Sequence, residues 1–161
     1  MAQRETNRED LLREATALVE RAEIRIPGES EPIVVGFRRD GSASFFFGAD
    51  PVYQFNSAGE LRRGYIGGVL YKAERGQLIS LRRERSETEV ALLRTELNNE
   101  EAQTLLADAH LRLTRLHQAL LSDSITLVGQ FPSDADPISR ITTWLSQIAS
   151  PLKIAHSPHA R

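Results

Sequence analysis

The chain has 161 residues, 40% hydrophobic and 26% charged, with a net charge of −2 and no cysteine. That length carries one domain with a real core, and the lack of cysteine rules out disulfides, thiolate metal sites and a cysteine nucleophile. Residues 1–10 are charged, and no later apolar run has the length of a signal peptide or a membrane span, so the expectation is a cytoplasmic protein without membrane contact.

The small net charge conceals an asymmetry. Residues 36–85 hold nine Lys or Arg against five acids, a balance of +4, and the rest of the chain holds 11 against 17, a balance of −6. Basic strands beside acidic helices attract each other before they attract an outside anion, so internal complementarity is the first expectation.

Thr6 and Glu9 have the spacing of a capping box, and Leu11, Leu12, Ala15, Leu18, Val19 and Ala22 recur at helical spacing. The pattern predicts an N-terminal amphipathic helix over residues 7–22. Ile24 and Ile26 flank Arg25 in an extended segment that Pro27-Gly28 ends.

Residues 32–97 then hold eight of the ten aromatic residues and eight of the ten glycines. Short apolar runs broken by Asp-Gly, Ala-Asp-Pro, Asn-Ser-Ala-Gly and Gly-Gly predict antiparallel strands joined by tight turns. A strict two-residue turn at Asp40-Gly41 would pair Phe37 with Ser44, Gly36 with Phe45 and Val35 with Phe46. Both faces of that hairpin are apolar, which implies a sheet covered on both sides or curled towards a barrel. A second two-residue turn at Gly67-Gly68 would pair Tyr65 with Leu70 and Arg63 with Lys72. Like charges directly opposed need a neutralising acid such as Glu74, or an anion. Residues 88–97 fit both periods and are read as a last strand.

From Asn99 the helical period is clear: Ala102, Leu105, Leu106, Ala109, Leu113, Leu116 and Leu120 follow an Asn98-Asn99 cap, with Glu100 and Glu101 in the first turn. Residues 125–128 read as a short strand. Asp136-Pro137 opens a final helix with Ile138, Ile141, Leu145 and Ile148 on its buried stripe and Trp144 beside it. The predicted fold is α+β: an antiparallel meander of six or seven strands with an N-terminal helix and two C-terminal helices packed on it. Residues 1–150 form the single domain and 151–161 a flexible tail.

No segment carries a specific catalytic, metal or nucleotide motif. His110 and His117 are about 10 Å apart along a helix, too far to share one metal ion, and no third ligand is spaced to complete a site for His156 and His159. Gly64-Tyr-Ile-Gly67-Gly68 lies between strands with no Lys-Ser/Thr after it, so it fails as a phosphate loop. Asp50 and Tyr53 suit a turn and a strand as well as a site. Neither a metal nor a cofactor is expected, and catalysis is expected less than binding.

Basic and aromatic residues interleave along the strands, the composition of sheets that bind single-stranded nucleic acid. Arg38, Phe46, Arg62, Arg63, Lys72 and Arg82 are the residues that would carry such binding. The two-sided apolar pattern and the acidic balance of the chain oppose that reading.

Gly36-Phe-Arg-Arg-Asp-Gly41, with Phe47-Gly-Ala-Asp-Pro-Val-Tyr-Gln-Phe55, Gly59-Glu-Leu-Arg-Arg63 and Gly68-Val-Leu-Tyr-Lys72, resembles a family of uncharacterised bacterial proteins over residues 32–97. The resemblance implies no activity, cofactor or catalytic residue. The functional expectation is a non-catalytic binding or protein-interaction module with a protein partner. Single-stranded nucleic-acid binding is the alternative, and a small-molecule or enzymatic pocket on the sheet comes third.

Overall fold

The computed structural model describes residues 20–85, 90–122, 125–130 and 136–156, with the backbone alone at 84, 85, 90–92 and 128–130. Nine strands form one antiparallel sheet: β1 (Glu20–Arg25), β2 (Ile33–Phe37), β3 (Ala43–Phe47), β4 (Val52–Phe55), β5 (Leu61–Ile66), β6 (Val69–Glu74), β7 (Gln77–Arg85), β8 (Val90–Glu96) and β9 (Thr126–Gln130). Eight follow one another as a meander, and β9 adds beside β1 at the far edge. Among the described residues the helices are α1 (Asn99–Leu121) and α2 (Pro137–Ser146). The α+β class stands, with nine strands where six or seven were expected. The difference is β1 and β9, which pair with each other.

The predicted N-terminal helix fails at its described end. Ala22 lies in β1, between β2 and β9, and with Ile24 is fully buried. Ala22 fits a 3.6-residue stripe with Leu18 and Val19, but with Ile24 it also makes a two-residue alternation. Pairing on both sides decides for the strand, because two neighbouring ladders satisfy the backbone. The remainder of that prediction, residues 7–19, lies outside the described residues.

The Asp40-Gly41 turn forms in a different register. Gly36 faces Ser44 and Val35 faces Phe45. Gly41 N donates to Arg38 O at 3.0 Å, Arg38 N donates to Ser42 O at 2.9 Å, and Gly41 has φ +89°. This is the three-residue loop in which a type I turn is followed by a left-handed glycine. Asp40 selects it: its carboxylate accepts from Ser42 N at 2.9 Å and Ser42 Oγ at 2.7 Å. Those hydrogen bonds hold the Asp40 carboxyl below its ordinary pKa. The one-residue slip moves Phe45 and Phe47 to the face of Val35 and Phe37, and leaves Val34 with Phe46 on the other. Both faces remain apolar. The Gly67-Gly68 turn holds its predicted register, with Tyr65 facing Leu70 and Arg63 facing Lys72.

Both helices lie on one face of the sheet, its inner face. Inward positions along a strand repeat about every 7 Å, close to the 8–10 Å spacing of neighbouring helices, so α1 and α2 lie over opposite ends of the strands and share the row of Phe45 and Tyr53 between them. α1 lies over Phe47 and Tyr53: Arg112 stacks over the Phe47 ring, and Tyr53 Oη donates to Asp108 Oδ2 at 3.3 Å. α2 lies over Phe37, Phe45 and Phe55. Trp144 packs 5.3 Å from Phe45 and 5.4 Å from Phe55 between ring centroids, and Arg140 stacks 4.4 Å over Phe37 while its guanidinium pairs with Glu20 at 2.7 Å. Asn98 caps α1 in a reciprocal box with Glu101, and Asp136 caps α2 through Ser139 N.

The flexible tail predicted from residue 151 is corrected over its described part. Leu61 N donates to Lys153 O at 2.8 Å, Ala155 N donates to Leu61 O at 2.9 Å, and Leu152 and Ala155 are buried. Extended chain finds free backbone partners where a bulge interrupts β4 against β5 beside Leu61. Residues 157–161 lie outside the described residues.

On the outer face a cross-strand row runs Val34, Phe46, Val52, Tyr65, Leu70 and Leu81, with Phe46, Val52 and Leu70 buried.

Leu113 is fully buried at the middle of the α1 stripe. Leu113→Ala should therefore lower unfolding free energy by about 2–5 kcal/mol in chemical denaturation. An unchanged midpoint would contradict the packing of α1 on the sheet.

Candidate functional site

A cleft of about 690 Å³ lies between the inner face of β5–β8 and the first turns of α1. Its origin is legible in one row of inward side chains. Cross-strand pairing aligns Val35, Phe45, Tyr53, Gly64, Tyr71, Ser80 and Thr95 from β2 to β8. The row begins with bulky groups that meet the helices and ends with two small hydroxyls. The sheet twists progressively away from a straight helix, and Ser80 and Thr95 are too short to refill the gap.

The cleft floor is apolar, formed by Ile66, Tyr71, Leu97 and Leu105, and Leu93 stands at the rim with 47% of its surface exposed. Arg82 sits on the sheet wall, on the same face as Leu93 opposite it. Glu100, Glu101, Thr104 and Asp108 line the helix wall.

These carboxylates are not equivalent. Glu101 accepts from Asn98 N at 2.9 Å within the capping box. Asp108 accepts from Tyr53 and, at 3.3 Å, from Arg112 Nε. Burial first, and then the Asp108 charge, push the Tyr53 phenol well above its ordinary pKa, so it stays protonated and orients Asp108 as a donor. Glu100 and Arg82 have no side-chain partner among the described residues.

The residues expected to bind nucleic acid do not share a face. Arg63 and Lys72 are brought together on the outer face by register, while Arg82 faces the cleft on the inner face. Phe46 is only 8% exposed and offers no ring for stacking. Arg38 lies at the β2–β3 turn, where its guanidinium donates to Ser42 Oγ at 3.4 Å. Arg62 is the extra residue at the β5 bulge, since Leu61 faces Phe55 and Arg63 faces Gln54. Asp50 accepts from Gly67 N and so braces the neighbouring hairpin, and Tyr53 is buried in the core. No group of three His, Asp or Glu suited to a metal ion occurs among the described residues.

Glu74 supplies the neutralising acid expected beside Arg63 and Lys72. It pairs with Lys72 at 3.6 Å and forms a short charge-assisted hydrogen bond with Arg94. An ion pair that crosses the layers, Glu20–Arg140, has the acid on the sheet and the base on the helix, the reverse of the expected sense.

Of the cleft residues, the sequence marks Arg82 for a different purpose and gives Ser80, Leu93, Thr95 and Glu100 no site role. The signal is present in Leu78-Ile-Ser-Leu-Arg82, whose alternate positions Leu78, Ser80 and Arg82 become progressively more polar along one face. Comparison with family models, curated proteins and solved structures found no match.

Arg94, through its hydrogen bond, holds the Glu74 carboxyl below its ordinary pKa. A carboxylate whose folded pKa lies below the unfolded one adds stability above the unfolded value and loses it as pH falls through the folded one. Glu74→Gln should destabilise the protein at about pH 7, and the difference from the parent should shrink towards zero near pH 2. Melting curves across that interval test the pairing. A difference independent of pH would contradict it.

Proposed function

We propose that the protein is a non-catalytic binding module whose cleft takes an apolar group bearing a cationic head. The cleft carries this reading: a volume of about 690 Å³ falls within the range of ligand sites, with an apolar floor and a few polar groups at its walls. Three carboxylates line the helix wall and one arginine the sheet wall, and with Asp108 already paired to Arg112 a net negative charge remains, which favours a cation. Glu100, with no partner of its own among the described residues, is the group assigned to meet it. Leu93, Leu97, Tyr71 and Leu105 would hold the apolar body. Such a group fits the side chain of a protein partner as well as a free molecule, in keeping with an interaction module. The cleft groups support recognition more than turnover: the phenol of Tyr53 is held protonated, and Asp108 and Glu101 are each engaged in structural hydrogen bonds.

Titration of the full chain with 1-naphthylmethylamine, followed by amide chemical shifts, tests this. The expected shifts fall at Leu93, Thr95, Leu97, Glu100 and Thr104. Glu100→Gln should weaken binding about fivefold, the size of an exposed charge pair, and so should replacing the amine by the neutral naphthylmethanol. Leu93→Arg should abolish it without loss of fold, since that side chain is half exposed. Shifts confined to the outer face, or none at millimolar probe, would overturn the reading.

A further inference from the structure

The strand β8 ends the sheet, and among the described residues nothing pairs with its outer side. Leu97 N donates to Leu78 O at 2.9 Å, so the odd-numbered residues of this segment turn their backbone groups towards β7. In an antiparallel ladder the direction alternates, which leaves the N–H and C=O groups of Arg94 and Glu96 pointing away from the sheet. An edge strand that presents such groups without proline or a bulge is a template for another strand.

The side chains restrict what that strand can be. Residues 82 and 93 face each other, as do 80 and 95, which puts Leu93 and Thr95 on the inner face. Arg94, opposite Leu81, and Glu96, opposite Ile79, lie on the outer one. The order Arg-Thr-Glu over residues 94–96 has opposite charges two positions apart on one face, with a threonine midway. Rotated by a two-fold axis through Thr95, the segment is its own complement. Arg94, which also holds Glu74 of its own chain, then meets Glu96 of the second copy, Glu96 meets Arg94 of the second copy, the two Thr95 side chains face each other, and Leu93 meets Leu97 of the second copy. Opposite charges and paired threonines are both favourable cross-strand neighbours.

The neighbouring registers lack this match. An axis through Arg94 opposes two guanidiniums, and an axis through Leu93 sets both charges against positions 92 and 90, apolar in sequence. We infer that β8 docks against β8 of a second copy of this chain in the register centred on Thr95, joining two sheets across an isologous interface. A two-fold contact of this kind closes on itself and gives a dimer rather than a fibre. It would half-cover Leu93, the most exposed apolar side chain of the cleft. With about four new backbone hydrogen bonds, the dimer is concentration-dependent.

The native chain has no cysteine, so single substitutions read the register without background. Thr95→Cys should form a disulfide-linked dimer under mild oxidation, because the two residues face each other as a non-hydrogen-bonded pair with short Cα separation. Leu93→Cys and Arg94→Cys should cross-link far more slowly. In sedimentation of the unmodified chain, the mass should rise from monomer to dimer with concentration. Glu96→Arg and Arg94→Glu should each weaken association about tenfold, and an equimolar mixture of the two variants should recover it, since every facing pair is then of opposite charge. Melting curves of each variant keep loss of fold apart from loss of association. A monomer at all concentrations, or preferred cross-linking through position 93 or 94, would overturn the inference.

Discussion

The structure depends on one constraint: a nine-stranded sheet has an apolar inner face that must be covered along its whole width. Eight strand spacings amount to about 38 Å, and α1, at 23 residues, is about 34 Å long. One helix therefore spans the sheet from β8, which it follows directly, to β9, which it leads into. This is why β9 can pair beside β1 at the opposite edge from β8 without a long loop. The meander supplies local pairing between neighbours, and α1 carries the chain from β8 at one edge to β9 at the other, where β9 pairs with β1. α2 covers the inner face that α1 leaves open, with Trp144 packed against Phe45 and Phe55.

The cleft follows from the same geometry. Where inward side chains are bulky, at Phe45, Phe47, Tyr53 and Phe55, helix and sheet are in contact. Where they shrink to Ser80 and Thr95, the layers part and a cavity opens. The first turn of α1 carries Glu100 and Glu101, which stabilise the helix dipole and, by the same placement, make one wall of the cleft acidic. Structural and binding roles are thus divided among neighbouring carboxylates: Glu101 caps the helix, Asp108 is fixed by Tyr53 and Arg112, and Glu100 has no such engagement among the described residues. Arg82 stands opposite them on the sheet, where the nucleic-acid reading would group it with residues that lie on the other face.

Much of this was legible in the sequence wherever one local rule acted alone. Gly67-Gly68 has both residues at positive φ, so the turn set the register of Arg63 against Lys72, and the need for Glu74 followed. The α1 stripe and its Asn98 cap were plain because the apolar period ran for about five turns, from Ala102 to Leu120. Legibility failed where two rules competed. At Asp40-Gly41 the dipeptide suits a two-residue turn, but the Asp40 carboxylate binds Ser42 and lengthens the loop, which shifts every pair by one. At Ala22 one apolar residue fits both periods, and pairing with β2 and with the distant strand β9 decides between them. The docking of Leu152 and Ala155 depended on a bulge in β5, and the cleft depended on which side chains a register would bring together. Neither is a local property of sequence.

Native-state hydrogen exchange of the full chain tests most directly the claim that α1 is the brace of the whole sheet. If α1 and the central strands form one cooperative unit, the amides of Ala109, Leu113 and Leu116 should exchange with the same opening free energy as those of Val35, Phe45 and Tyr53, and respond equally to denaturant. The β7–β8 corner, where helix and sheet part, should open at lower free energy. If α1 instead exchanged first, as a unit of its own over a sheet that stayed protected, the helix would be an appendage and the sheet would not depend on it as a brace.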